Sequence, residues 1–417
     1  MSLASNVEFL KRLPKPVRLP GLAELARGLR PDLHSPLFEV KGFGTNPGSL
    51  RMLAFVPASL QQPRPLVVVL HGCGQTAAGY DLGAGWSTLA KHFGFALLMP
   101  EQQASNNANA CFNWFNPEDI ARDGGEACSI RQMIARMVRD YSIDPHRIFV
   151  TGLSAGGAMT SVMLATYPEV FAAGAVIAGL PFGVATNLRE ALSGMRGGGE
   201  RSARELGDRV RDAANHRGRW PRVSVWHGGA DRVVHPGNAN EIVKQWLDVH
   251  QLPSAPMAEG VVDGHPRQVW WDADGETMVE SYTIADMAHG TPLGMADNDK
   301  YYGNRGAFLI EAGISSSYHI AKFFGLTAWI REPKKVEAKM PVADSPSAKL
   351  IPSVSPLPIP LPDLARVLAP LANIAARPER KAAAKGKPKS EAKPRRRAID
   401  LSAIVTRALT AAGLRRR

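Results

Sequence analysis

Arg147-Ile-Phe-Val-Thr-Gly-Leu-Ser-Ala-Gly-Gly-Ala-Met159 decides the reading of this chain. Ile148-Phe149-Val150 is an apolar run of the kind buried strands use, and Ala158–Ala165 is compatible with a helix. Between them lies Gly152-Leu153-Ser154-Ala155-Gly156, so the stretch reads strand, sharp turn, helix, with a serine at the apex. A nucleophile elbow holds its central residue in strained backbone geometry, and small neighbours let strand and helix pass closely. A bare G-x-S-x-G also occurs by chance in glycine-rich turns. The flanking strand and helix are what favour the elbow, and the reading then demands a histidine, an acid and an oxyanion hole elsewhere.

Working outward, Pro65-Leu-Val-Val-Val-Leu70 is a continuous apolar run, as expected of a parallel strand covered on both faces. Phe95–Met99, Phe171–Ile177 and Arg222–His227 read as further strands, and Trp86–Phe93, Ser129–Tyr141 and Glu241–Val249 as helices. Leu37–Val40 and Met52–Val56 are strand-like, Val269–Trp271 and Met278–Ile284 resemble a hairpin turned at Asp274-Gly275, and Gly313–Phe324 closes with a helix. Strands alternating with helices predict an α/β fold with a mainly parallel sheet and helices on both faces. Residues 183–220, rich in Arg, Gly and Glu, are read as a small cap insertion or a solvated surface excursion.

The chain has 417 residues and 45% hydrophobic content, enough for a large globular core, and no apolar run reaches the roughly 18 to 20 residues of a membrane span. The net charge of +12 is unevenly placed: residues 331–417 hold 20 Lys and Arg against 7 Asp and Glu, which leaves the body near neutrality. A basic footprint for nucleic acid should lie on the folded part, so nucleic acid is not an expected partner of the body. Residues 332–417, rich in Pro, Ala and Lys with two short amphipathic pieces, are expected to be a disordered basic tail, and residues 1–36 an N-terminal extension to a catalytic domain over 37–331. The tail has an anionic surface or a polymer granule as its candidate partner. The N-terminus lacks a basic region followed by an apolar one, which predicts a cytoplasmic protein.

In sheets of this kind the triad runs Ser, acid, His. His227-Gly-Gly-Ala-Asp231 follows an apolar strand, which puts Asp231 in a loop at the strand's carboxyl end, where ligands bind. Of eleven histidines, His289 lies just beyond a strand with Gly290 to bend the loop; His265 precedes a strand, His235 is too close to Asp231 in sequence, and His319 falls within a helix. The expected triad is therefore Ser154, Asp231 and His289. The oxyanion hole needs two backbone N–H groups, assigned to Ala155, after the nucleophile, and Cys73, in His71-Gly-Cys-Gly-Gln75. Trp114, in the asparagine-rich loop 106–115, is the candidate apolar wall for an acyl group, and Gln75 and Asn113 are further candidates for substrate binding. No metal-ligand spacing and no dinucleotide or phosphate loop occurs, so neither metal nor cofactor is expected.

Leu70-His-Gly-Cys-Gly-Gln75, Cys111-Phe-Asn-Trp-Phe115, Thr151–Met159, Trp226-His-Gly-Gly-Ala-Asp231 and Met287-Ala-His-Gly290 together resemble the poly(3-hydroxybutyrate) depolymerase family of esterases, which includes feruloyl and acetyl-xylan esterases. The resemblance covers roughly residues 37–330. It implies an α/β-hydrolase fold, hydrolysis of carboxylic esters through an acyl-enzyme, the same triad and the same oxyanion donors. It also implies a pairing of Cys73 with Cys111 and an extracellular setting, since many members are secreted. Poly(3-hydroxybutyrate)-type polyester is the leading substrate, with feruloyl or acetyl-xylan esters as the alternative and surface binding through the basic tail as a reading of another class.

Overall fold

The computed structural model describes residues 35–58, 63–197, 199 and 201–327. The expected tail over 332–417 and nearly all of the expected N-terminal extension lie outside the described residues.

In chain order the strands are β1 (Phe38–Val40), β2 (Arg51–Phe55) and β3 (Arg64–Leu70), followed by helices α1 (Ala77–Ala84) and α2 (Trp86–Phe93) and strand β4 (Ala96–Glu101). Next come α3 (Pro117–Ile120), α4 (Gly125–Asp140), β5 (Ile143–Leu153), α5 (Ala155–Thr166) and β6 (Ala173–Ile177). Helices α6 (Leu188–Met195) and α7 (Ala203–Ala214) precede β7 (Arg222–Gly228) and α8 (Gly237–His250). The remainder is β8 (Ala258–Val262), β9 (His265–Trp271), β10 (Thr277–Ile284), β11 (Thr291–Leu293), β12 (Leu309–Glu311) and α9 (Ser316–Phe323).

Ten strands form one sheet in the order β1-β2-β4-β3-β5-β6-β7-β10-β9-β8. The six from β4 to β10 are mutually parallel, and antiparallel strands extend the sheet at both sides. The unbroken apolar run in β3 follows from burial on both faces. Leu66, Val68 and Leu70 pack into one core with α4, α5 and α8, while Val67 and Val69 pack into a second with α1, α2 and α9. Helices therefore cover both faces, as expected of the α/β-hydrolase fold.

Two differences from the sequence reading bear on the site. β10 is not just half of a hairpin: it pairs antiparallel with β9 and parallel with β7, Val279 opposite Val223 through Ile284 opposite Gly228. This brings the loop after β10 beside the loop after β7. Residues 183–220 are the second case: read as a cap insertion or a solvated excursion, they carry α6 and α7. α1 escaped the sequence reading because Gly79, Gly83 and Asp81 weaken its helical signal. The buried Asp81 carboxylate accepts from the Ser87 N–H at 2.7 Å and from the Ser35 hydroxyl at 2.7 Å.

Candidate active site

The apex serine sits between β5 and α5 with φ 59° and ψ −118°, a region a side chain rarely occupies. The glycines around it answer to crowding. A Cβ on Gly156 would lie 2.3 Å from the Leu70 carbonyl oxygen, and one on Gly152 would lie 2.4 Å from that of Gly156. Strand and helix can cross at that distance only without side chains. The Ser154 N–H donates to Ile177 O at 2.9 Å, anchoring the apex to β6.

Asp231 follows β7 across the turn Gly228-Gly229-Ala230, and His289 follows β10. The glycines let these loops touch: a Cβ on Gly228 would lie 2.2 Å from Met287 O. His289 Nε2 is 2.9 Å from Ser154 Oγ, and His289 Nδ1 is 2.7 Å from Asp231 Oδ2. A carboxylate only accepts, so Nδ1 carries the ring proton and Nε2 is left to accept from the serine hydroxyl. Asp231 Oδ1 accepts from the Val233 and Val234 N–H groups at 2.8 and 2.9 Å. Its Oδ2 also lies 3.2 Å from His227 Nε2. Burial alone would raise the Asp231 pKa, but hydrogen bonds from His227 and His289, the His289 charge and the Val234 N–H outweigh it and hold it well below the usual carboxylate range.

The three histidines set aside in the sequence, His235, His265 and His319, are engaged elsewhere. His235 Nδ1 accepts from Gly237 N–H at 3.1 Å, His265 Nε2 is 2.7 Å from Ala312 O, and His319 Nε2 is 2.8 Å from Asp263 Oδ2. Asp263, Asp297 and His319 form the one group among the described residues with metal-ligand spacing. Lys322 already pairs with Asp297 there, and none of these residues lines the cleft above Ser154.

The Cys73 and Ala155 N–H groups have no protein acceptor among the described residues. Ala155 opens α5, where first-turn donors lack intrahelical partners and the helix dipole favours negative charge. The loop carrying Cys73 is fixed from several sides. Cys73 is disulfide-bonded to Cys111, and Gly74 N–H donates to Asn109 O at 2.8 Å. Buried His71 accepts from the Gln102 N–H at 3.1 Å through Nε2, so Nδ1 carries the proton and donates to Gly72 O at 2.8 Å. Burial holds the His71 pKa below its ordinary value.

Above Ser154 lies an open cleft lined by Ser154, His289, the Cys73–Cys111 bridge, Trp114, Phe115, Leu153, Val233 and Phe308 among others. Leu188, Ala191, Leu192 and Met195, at helical spacing, give α6 one apolar face on it. Among the described residues, no Lys, Arg, Asp or Glu lines it.

Trp114 lines the cleft, whereas Gln75 and Asn113 are not among its lining residues. Gln75 Oε1 accepts from Gly72 N–H at 2.9 Å and its Nε2 donates to Ala307 O at 3.3 Å, which braces the Cys73 loop. Asn113 donates its backbone N–H and its Nδ2 to buried Glu126 at 2.8 and 2.7 Å, and its Oδ1 accepts from Asn107 Nδ2 at 3.0 Å. With their polar atoms spent inside the loops, both residues support the wall rather than form it. α6 and His227 are the parts the sequence reading missed. The i, i+3, i+4, i+7 spacing of Leu188, Ala191, Leu192 and Met195 was the legible signal for α6. His227 gave none: four residues of extended strand span about 13 Å, and only the turn at 228–230 returns Asp231 to its ring.

Residues 51–262 match the model of the family described as esterase PHB depolymerase. Over 291 residues the chain is 45% identical to a poly(3-hydroxyalkanoate) depolymerase C of Paucimonas lemoignei, covering 70% of each. A feruloyl esterase B of Neurospora crassa is 32% identical over 278 residues, which is 65% of this chain and 94% of that one. Among solved structures, an acetyl xylan esterase from Aspergillus awamori superposes with a TM-score of 0.56 at 26% identity, covering 61% of this chain and 93% of its own. Five motifs in order, a parallel sheet that brings three of them to one edge, and this similarity lead to one conclusion: the chain belongs to the PHB depolymerase family of esterases and is a hydrolase of carboxylic ester bonds.

Proposed function

We propose that Ser154, His289 and Asp231 are the catalytic triad and that the ester is part of a neutral, apolar polyester of the poly(3-hydroxybutyrate) type or its oligomers. The observation that carries the triad is the pair of hydrogen bonds, 2.9 and 2.7 Å, joining serine, imidazole and buried carboxylate at a cleft without charged walls. Ser154 Oγ attacks the ester carbonyl carbon as His289 Nε2 takes its proton. The Cys73 and Ala155 N–H groups stabilise the oxyanion, and Asp231 stabilises the imidazolium. His289 then passes the proton to the leaving alkoxide, and the acyl-enzyme forms. Water enters, His289 removes its proton, and collapse of the second tetrahedral intermediate releases the acid and restores the serine. Trp114 and the α6 face are the walls for acyl group and chain.

The polyester assignment rests on the depolymerase relative together with the apolar lining. A feruloyl or acetylated polysaccharide ester is the alternative, suggested by the Neurospora and Aspergillus relatives. Replacing Ser154 by Ala should lower hydrolysis of short p-nitrophenyl esters by at least about 10⁴-fold with the fold intact by circular dichroism; turnover near the parent level would sink the triad. A panel of soluble 3-hydroxybutyrate oligomers, feruloyl esters and acetyl-xylan then separates the substrates, and preference for acetyl-xylan would reverse the assignment.

The charge asymmetry supports a second proposal, that residues 332–417 dock the enzyme on an anionic surface such as a coated polymer granule. No helix among the described residues is long and apolar enough to cross a membrane. Deleting the tail should abolish salt-sensitive retention on granules; equal retention with and without it would exclude the idea.

A further inference from the structure

His227 is the last residue but one of β7 and is 3% exposed. Its Nε2 lies 2.9 Å from the Val234 carbonyl oxygen and 3.2 Å from Asp231 Oδ2. Val234 O takes the hydrogen bond, so this nitrogen carries the proton, and Asp231 Oδ2 lies 3.2 Å from it. His227 Nδ1 is buried and has no hydrogen-bond partner among the described residues. Asp231 Oδ1 is already occupied by two backbone N–H groups, and Oδ2 faces two imidazoles.

We infer that His227 is a positioning residue for the hydrolysis: its Nε2–H fixes Asp231 Oδ2 in line with His289 Nδ1. This rests on the reading of Asp231 as the triad acid. Among the described residues, these two imidazoles are the ionisable side chains within ion-pair distance of that carboxylate. With the His227 donor removed, Oδ2 is held by His289 alone and the carboxylate becomes more basic. It then binds the imidazolium form of His289 more strongly, so the acid limb of the pH profile moves to higher pH.

The test compares H227L with H227Q in the full chain, on p-nitrophenyl butyrate, because the glutamine carboxamide N–H can stand where Nε2 stands. H227L is expected to lose about 10- to 100-fold in kcat with KM little changed and the acid limb of kcat/KM raised. H227Q is expected to recover most of the rate and the parental limb. Parental kcat and limb in H227L overturn the inference, and so does equal impairment of both variants, which would mean that the ring only fills space. Should H227L not fold, ¹⁵N NMR of the parent chain at neutral pH decides: His227 is expected as the Nε2–H tautomer, and the Nδ1–H tautomer overturns the inference. S154A run in parallel separates the two failures. If S154A stays active, the triad reading itself falls. If S154A is inactive while H227L keeps the parental rate and limb, only the role of His227 falls.

Discussion

Ser154, His289 and Asp231 are separated by 135 and 58 residues along the chain and joined by two hydrogen bonds. What fits the trio to its proposed role is the acid's occupancy: Asp231 Oδ1 accepts from two backbone N–H groups, and the bond that Oδ2 accepts from His289 selects the tautomer that leaves Nε2 free. Asp231→Asn keeps the shape but brings an NH₂ group that can face Nδ1 and reverse the tautomer. Its kcat should fall by about 10³- to 10⁴-fold with KM nearly constant. Steady-state kinetics on a soluble ester would show it, and a loss below tenfold would mean that another group orients His289. These three residues are legible in the sequence because each follows an apolar strand in the order the chemistry requires. Gln75 and Asn113 are misread there for the opposite reason: a polar residue beside a motif looks the same in sequence whether it faces substrate or holds the loop.

At the scale of elements, the crossing of β5, α5 and β3 is the most constrained part of the site. Gly156→Ala would put a methyl group 2.3 Å from Leu70 O and 2.5 Å from His71 O, both backbone. The helix would have to move away from the oxyanion loop. A drop of several degrees in Tm and at least about a tenfold loss of kcat are expected, measured by thermal melts and ester turnover; a parental Tm would contradict the crowding argument. The loop that carries Trp114 depends on Glu126 in the first turn of α4. Burial pushes this carboxyl up to about 8, and the three N–H donors from Asn113 and Gln102 do not cancel it. Between its ordinary pKa and about 8 the native state keeps a proton that the unfolded chain has released, so stability falls as pH rises through that window. Glu126→Gln cannot ionise, and should flatten the fall in Tm between about pH 5 and 8. A slope as steep as the parent's would remove Glu126 as its source. α4 itself was readable from its apolar stripe, whereas the contact of Glu126 with Asn113, 13 residues away, needed the loop in place.

For the molecule as a whole, all the groups assigned to chemistry or to the cleft wall lie between Gly72 and Phe308. Removing residues 332–417 should therefore leave kcat/KM on a soluble ester within about twofold while changing only retention on surfaces; a large loss of turnover would mean that the tail serves the site. The sequence alone determined that the body is an α/β sheet, because apolar runs of strand length recur between helical patterns. It also narrowed the residues proposed as nucleophile, acid and base to Ser154, Asp231 and His289, because strand order and the demands of ester hydrolysis leave few candidates. Tertiary structure decided what depends on neighbours far apart in the chain. Strand β10 lies beside β7, α6 turns its apolar face to the cleft, and the Asp231 carboxylate meets a second imidazole from its own strand. Such facts follow from register and from a turn of three residues, which place atoms about 3 Å apart that an extended chain would separate by about 13 Å.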